Sequence, residues 1–189
     1  MTKQELRLLY TQKRESLSVK ERLILDDLLL LQLQTFNFEG VQTVLSYWPI
    51  NHKAEPNTLL FTNYLRHFVQ DVQVAYPVSN FTTNTLTAIK VNEDTIYIKN
   101  KFGLTEPKTG DIIEPNEIDV VFVPNLICDS RGFRVGFGKG FYDRYLADCN
   151  EEVSLIGFNY FDPIEMITDT NNFDISLNYC ITPQNVFQF

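Results

Sequence analysis

Residues 119–128, DVVFVPNLIC, are apolar almost without interruption, and they constrain the fold more than any other stretch of the chain. A run this short that lacks polar alternation reads as a strand covered on both faces, the kind found inside a parallel sheet with helices above and below it. Residues 43–49, 72–77, 153–158 and 179–182 read as further strands. Two alternating runs, 85–91 and 95–99, are split by Asn92, Glu93 and Asp94 and predict a β-hairpin. Two capping boxes, Thr2 with Glu5 and Ser18 with Glu21, open two helices within residues 1–36. Leu6, Leu9 and Tyr10 share a face of the first, and Ile24, Leu28 and Leu31 share a face of the second. Residues 57–68 read as another helix and 102–110 as a turn-rich loop. Strands alternating with helices predict an α/β fold: a single three-layer domain over residues 1–189, with a mixed, mostly parallel sheet flanked by helices and a β-hairpin. A chain of 189 residues, 44% hydrophobic, suffices for one sizeable core.

Charge then excludes whole classes of partner. The net charge is -8, from 16 basic and 24 acidic side chains, so a nucleic-acid backbone is not the expected partner. A small anion remains compatible, because a few well-placed bases outweigh the global field locally. Cys128, Cys149 and Cys180 have neither metal-ligand spacing nor the even number of a disulfide framework, which suits a reducing cytoplasm. The first residues lack the apolar core of a secretory signal, and Leu28 to Leu31 is too short a run to cross a bilayer.

The chemistry concentrates in residues 132–143, GFRVGFGKGFYD, which follow the apolar run and lead into a predicted helix. Glycines at 132, 136, 138 and 140 permit unusual backbone angles and let main-chain amides approach a ligand. Arg134 and Lys139 add a planar fork and a point charge that both suit phosphate. Neither familiar nucleotide motif is present: Phe133 stands where a Walker loop needs glycine, Gly140 where it needs Ser or Thr, and Phe141 spoils the dinucleotide fingerprint. Glycine spacing alone leaves a structural turn and a phosphate cradle on equal footing. Asp143 is placed either to meet a magnesium ion riding on phosphates or simply to complement the helix dipole.

A longer pattern joins these pieces. An apolar stretch ending in Val123 and Pro124, then CDSRGFRVGFGKGFYDRYL over residues 128–146, is similar to the 5-formyltetrahydrofolate cyclo-ligase family. The similarity extends to Lys3 and Arg7 near the start, to residues 102–107 and to residues 174–179. It implies a magnesium-dependent enzyme that uses ATP to turn 5-formyltetrahydrofolate into 5,10-methenyltetrahydrofolate, acting as a monomer or weak homodimer in the cytoplasm. Position by position, it implies ATP contacts from Lys3, Gln4, Glu5, Leu6 and Arg7. It implies more from Gly132, Phe133, Arg134, Val135, Gly136, Phe137, Gly138, Lys139 and Gly140, with Lys139 and Arg134 serving catalysis. Ile50, Glu55 and residues 135–139 would meet the folate, with Tyr47 and Trp48 as nearby walls; Asp143 and Asp174 would hold Mg²⁺. Three departures stand out: Val78 where the family often has arginine, and Phe137 and Phe141 in place of frequent tyrosines. The alternatives are a folate- and ATP-binding protein of this fold with weakened turnover, motivated by Val78, and an ATP-dependent ligase or kinase for another small substrate.

Overall fold

The computed structural model describes residues 1–189. In chain order the elements are α1 (Lys3–Glu15), α2 (Val19–Leu33), β1 (Thr43–Leu45), a 3-10 turn (Asn51–Lys53), α3 (Thr58–Phe68), β2 (Gln73–Asn80), β3 (Thr85–Val91), β4 (Tyr97–Lys99) and β5 (Thr105–Pro107). They continue with β6 (Ile112–Ile113), a second 3-10 turn (Pro115–Glu117), β7 (Val120–Phe122), β8 (Ile127–Cys128), β9 (Arg134–Val135), α4 (Phe141–Leu146), β10 (Ser154–Phe158), β11 (Tyr179–Ile181) and β12 (Val186–Gln188). Both predicted capping boxes form, so α1 and α2 start where their hydroxyl and carboxylate pairs satisfy the free amides. No helix is long and apolar enough to cross a membrane.

Eight strands make one sheet in the order β12-β11-β10-β7-β1-β2-β3-β6. The inner five, β11 to β2, are parallel, and antiparallel strands close both edges. Alternation along the inner strands divides the interior in two. Val44, Val120, Phe122, Ile156, Phe158 and Ile181 face Leu29 and Leu33 of α2 and Phe61 and Leu65 of α3. Their neighbours Leu45, Val121, Val123, Leu155 and Cys180 face the opposite core, which Tyr145 and Leu146 of α4 cover. The mixed α/β arrangement predicted for the chain is therefore present. A third cluster packs Leu6 and Tyr10 of α1 on Leu126, Ile127 and Val135, beyond the end of β7.

Several local expectations change. The run 119–128 is two strands: Pro124 removes an amide donor, β7 ends, and β8 leaves the sheet to pair with β9. Runs 85–91 and 95–99 do not pair with each other. β3 forms a seven-residue-pair ladder with β2, while β4 pairs with β5, which lies within the predicted loop. Alternation marks a strand but is silent about its partner. β2 also continues through Pro77, because β1 has stopped by then and no neighbour needs the missing N–H.

The buried face of α2 is likewise not Ile24, Leu28 and Leu31. It is Asp26, Leu29 and Leu33, and both Ile24 and Leu31 are exposed. Seven leucines in this helix leave apolar periodicity undecided. Asp26 fixes the orientation, accepting hydrogen bonds from Asn57 N at 3.1 Å and Tyr160 Oη at 2.8 Å. Phe122→Ala, which empties a site between Phe158 and both helices, should therefore lower the unfolding free energy by ~3–5 kcal/mol in urea titration. Ile24→Ser on the exposed face should change it by less than ~0.5 kcal/mol.

Candidate active site

A cavity of about 590 Å³ opens beyond the carboxyl ends of β1 and β7. From β1 the chain winds outward to β2 on one side, and from β7 to β10 on the other, so the cavity lies at the topological switch point of the sheet. Tyr47 and Trp48, just past β1, and Pro124, just past β7, line it. Its walls divide by chemistry. Lys3, Arg7, Lys139 and the glycine loop form a cationic side; Tyr47, Trp48, Ile50 and Glu55 form an aromatic side with one carboxylate. Phe81 stacks on Phe102 at 3.7 Å between centroids and meets Phe141 edge-on at 5.1 Å, giving a third, apolar wall.

Four charged side chains from distant parts of the chain interlock at the cationic side. Arg134, almost fully buried, donates from Nη2 to Asp143 Oδ1 at 2.9 Å and from Nη1 to the Ile175 carbonyl. The same Asp143 oxygen accepts the Ile175 amide at 3.2 Å. One residue earlier, Asp174 takes Lys3 Nζ at 2.5 Å. Burial pushes the Arg134 pKa down and Asp143 pulls it back up. Both terminal nitrogens of Arg134 are thus engaged by Asp143 and Ile175, where the sequence suggested a free fork for phosphate.

Both aspartates line the cavity, and Asp143 Oδ2 makes no hydrogen bond. No three His, Cys, Asp or Glu side chains cluster as an all-protein metal cage. Two carboxylates, one with a free oxygen, fit magnesium, which takes one or two such ligands and keeps water and phosphate for the rest.

The glycine loop divides in two. Gly132 lies in the β8–β9 turn, where buried Asp129 accepts the amides of Arg131 and Phe133, and it does not line the cavity. Phe133 packs under the Arg131 guanidinium, and Val135 is fully buried in the α1 cluster. Gly136, Phe137, Gly138, Lys139 and Gly140 do line the cavity. Arg7 donates from Nε to the Gly136 carbonyl at 2.8 Å. Gly138, at φ +90°, lies so close beneath the Arg7 guanidinium that a Cβ there would sit 3.4 Å from its Cζ. A side chain at 138 would be strained as well as crowded.

The model of the 5-formyltetrahydrofolate cyclo-ligase family matches residues 1–169. The chain belongs to this family. A cyclo-ligase of Mycoplasma pneumoniae is 30% identical over 189 residues, covering 97% of this chain and 100% of the relative. One from Haemophilus influenzae is 29% identical over 164 residues, covering 79% and 87%. Among solved structures, the 5,10-methenyltetrahydrofolate synthetase of Aquifex aeolicus superposes with a TM-score of 0.82 at 28% identity, covering 100% of this chain and 93% of that one.

Of the cyclo-ligase contacts implied for residues 3–7, only Lys3 and Arg7 reach the cavity. Positions i and i+4 share a helix face. Gln4 points to solvent, Glu5 caps Thr2, and Leu6 is buried in the core. Lys53 is the base that pattern reading missed: it lines the cavity with its Nζ 3.9 Å from the Phe137 ring centroid. Its place two residues before Glu55 in one turn was the available signal. Val78 falls between Pro77 and Ser79, which line the cavity, and is not itself in the lining. The cavity still has five bases: Lys3, Arg7, Lys53, Arg134 and Lys139.

Glu55 is buried, accepts the Ile50 amide on Oε2 at 2.7 Å and leaves Oε1 open to the cavity. Burial pushes its pKa up to about 7, against the Ile50 hydrogen bond, Arg14 and Lys53, which pull it down.

Asp143→Asn leaves the Arg134 guanidinium buried without its counter-charge. Asp143 is itself 29% exposed, so the loss in unfolding free energy should be about 3 kcal/mol, the lower end for stranding a buried charge. Lys139→Ala, at an exposed loop position, should change stability by less than ~0.5 kcal/mol while weakening ATP binding in calorimetry.

Proposed function

We propose that this protein converts 5-formyltetrahydrofolate to 5,10-methenyltetrahydrofolate, using ATP and releasing ADP and phosphate. The observation that carries the reading is the two-sided cavity, basic and glycine-lined on one side, aromatic and carboxylate-bearing on the other. The chemistry needs both substrates in contact. A formamide oxygen is a poor leaving group, so the terminal phosphoryl group of ATP is transferred to it. N10 of the folate then attacks the formyl carbon, the N10–C bond forms, the C–O bond breaks, phosphate departs with its oxygen and N10 gives up its proton. Transfer of this kind asks the protein chiefly for positioning and charge neutralisation.

The chain's residues divide those tasks. Lys139 and the amides of residues 136–140 receive the phosphates, and Arg7 braces the loop through the Gly136 carbonyl. Magnesium, held by Asp143 and Asp174, would neutralise charge on the transferring phosphoryl group. Lys3, paired with Asp174 at the same side of the cavity, would supply a further positive charge toward the phosphates. Glu55 Oε1 accepts N–H donors of the pterin ring, Ile50 contacts its apolar surface, and Tyr47 and Trp48 wall the pocket. The same reading places the protein in a reducing cytoplasm, where its three free cysteines stay reduced.

Purified protein incubated with 5-formyltetrahydrofolate and MgATP should develop the near-ultraviolet absorbance of the methenyl product, with one ADP formed per turnover. ADP formation without that absorbance, or with another metabolite only, would contradict the assignment. The pH dependence follows from Glu55: above about 7 it is a carboxylate that accepts hydrogen bonds, and below about 7 it is neutral. Folate affinity should therefore fall as pH drops through that value, approaching ~10-fold per pH unit. Glu55→Gln should bind more weakly and without this pH dependence.

A further inference from the structure

Two glycines of the segment 136–140 adopt left-handed backbone angles, Gly138 at φ +90° and Gly140 at φ +66°, and each lies against an arginine. Arg7 covers Gly138 and lines the cavity. Arg144, on α4, covers Gly140, and it is an exposed residue outside the cavity lining to which the proposed reaction gives no task. A Cβ at position 140 would sit 3.2 Å from Arg144 Nη1 and 3.6 Å from its Cζ. Glycine there serves the guanidinium as well as the backbone angle.

The Arg144 fork bridges two backbone segments. Nη2 donates to the Lys139 carbonyl at 2.5 Å, and Nε donates to the Asn84 carbonyl at 2.9 Å. Asn84 ends the turn between β2 and β3. That turn is braced from within, because Asn80 Oδ1 accepts the amides of Thr82 and Thr83 at 3.0 and 3.3 Å. It meets α4 a second time where Phe81 packs edge-on against Phe141. Arg144 therefore fastens the end of the glycine loop to a turn carried by the central sheet. The Lys139 carbonyl and the Gly140 amide belong to one planar trans peptide, so they point in opposite directions. A carbonyl held by Arg144 turns the Gly140 N–H away from Arg144, and that N–H makes no hydrogen bond within the protein. Arg7, on the Gly136 carbonyl, fixes the Phe137 amide at the other end of the loop in the same way.

We propose that Arg144 is a positioning residue for the phosphate loop: by tying the Lys139 carbonyl to the β2–β3 turn, it fixes the Gly140 amide for the phosphates of ATP. The inference rests on the reading that residues 136–140 receive those phosphates. Arg144 acts only through the loop. Its contribution is a bridge between two carbonyls, which a point charge at the same position does not replace.

Two variants separate the bridge from the charge. Arg144→Ala removes both, whereas Arg144→Lys keeps the charge but falls short of the Nη2 position, so it reaches the Asn84 carbonyl and loses that of Lys139. Calorimetric Kd values are measured for MgATP and, separately, for 5-formyltetrahydrofolate. Arg144→Ala should raise the ATP Kd about tenfold, the loss expected for one hydrogen bond from a charged donor, and leave the folate Kd within about twofold. In turnover the ATP KM should rise by about the same factor, with kcat within about threefold. Arg144→Lys should match the alanine variant within about twofold in ATP Kd. A folded alanine variant that binds ATP as wild type does reduces Arg144 to a docking contact of α4 and overturns the inference. A lysine variant with wild-type ATP affinity overturns it as well, because charge alone would then suffice. The lysine variant keeps the Asn84 contact, so it carries the test if the alanine variant does not fold. Lys139→Ala keeps the two readings apart: if it and Arg144→Ala both leave ATP binding unchanged, the loop is not the phosphate site and the inference falls with that reading. If Lys139→Ala weakens ATP binding and Arg144→Ala does not, only the role of Arg144 fails.

Discussion

The architecture of the cavity depends on keeping the Arg134 guanidinium buried beside an opposite charge. That demand ties β9 to α4 through Asp143, ties both to residue 175, and through the adjoining Asp174 reaches Lys3 on α1. A segment such as 136–140, with four glycine or lysine positions and no ladder of its own, has little intrinsic reason to hold one shape. Here its two ends are fixed by buried partners and Arg7 grips its middle. The outcome is a loop whose amides are exposed to the cavity yet held in place before any ligand arrives, the condition under which hydrogen-bond donors help most with charge that develops during a reaction.

The sheet supplies the location. Strands β1 and β7 are neighbours, but their onward connections run in opposite directions, so nothing crosses above their carboxyl ends. The polypeptide leaving them contributes aromatic and proline side chains to the walls, and α1 with the β8–β9 hairpin roofs the far side. The result is asymmetric, with Lys3, Arg7, Lys139 and the glycines on one side and Tyr47, Trp48 and Glu55 on the other. A phosphate donor and a flat heterocycle can therefore lie together without competing for the same groups.

Much of this was legible in the residues. Capping boxes located the first two helices, and the apolar run found the middle of the sheet. The pattern around residues 128–146 pointed to the family that the wider comparison bears out. What stayed hidden was of one physical kind: facts set by a partner distant in sequence. The face of α2 was decided by Asn57 and Tyr160 meeting Asp26, and the pairing of β3 with β2 by register. Gly132 reads like its sister glycines, yet it serves a turn built around Asp129. Arg134 reads like a phosphate ligand until Asp143 and Ile175 are seen to occupy it. Glu55 is singled out in the linear chain by the resemblance alone, and the burial that raises its pKa is set by the fold.

The central claim is that one cavity holds both substrates, each against its own side. A crystal structure of the protein with a non-hydrolysable ATP analogue, magnesium and 5-formyltetrahydrofolate tests it most directly. The account predicts the triphosphate over residues 136–140 with the metal at Asp143 and Asp174. It predicts the pterin between Tyr47, Trp48 and Glu55, with the formyl oxygen facing the terminal phosphate. A triphosphate bound away from the glycine loop, or a folate that leaves Glu55 uncontacted, would contradict it.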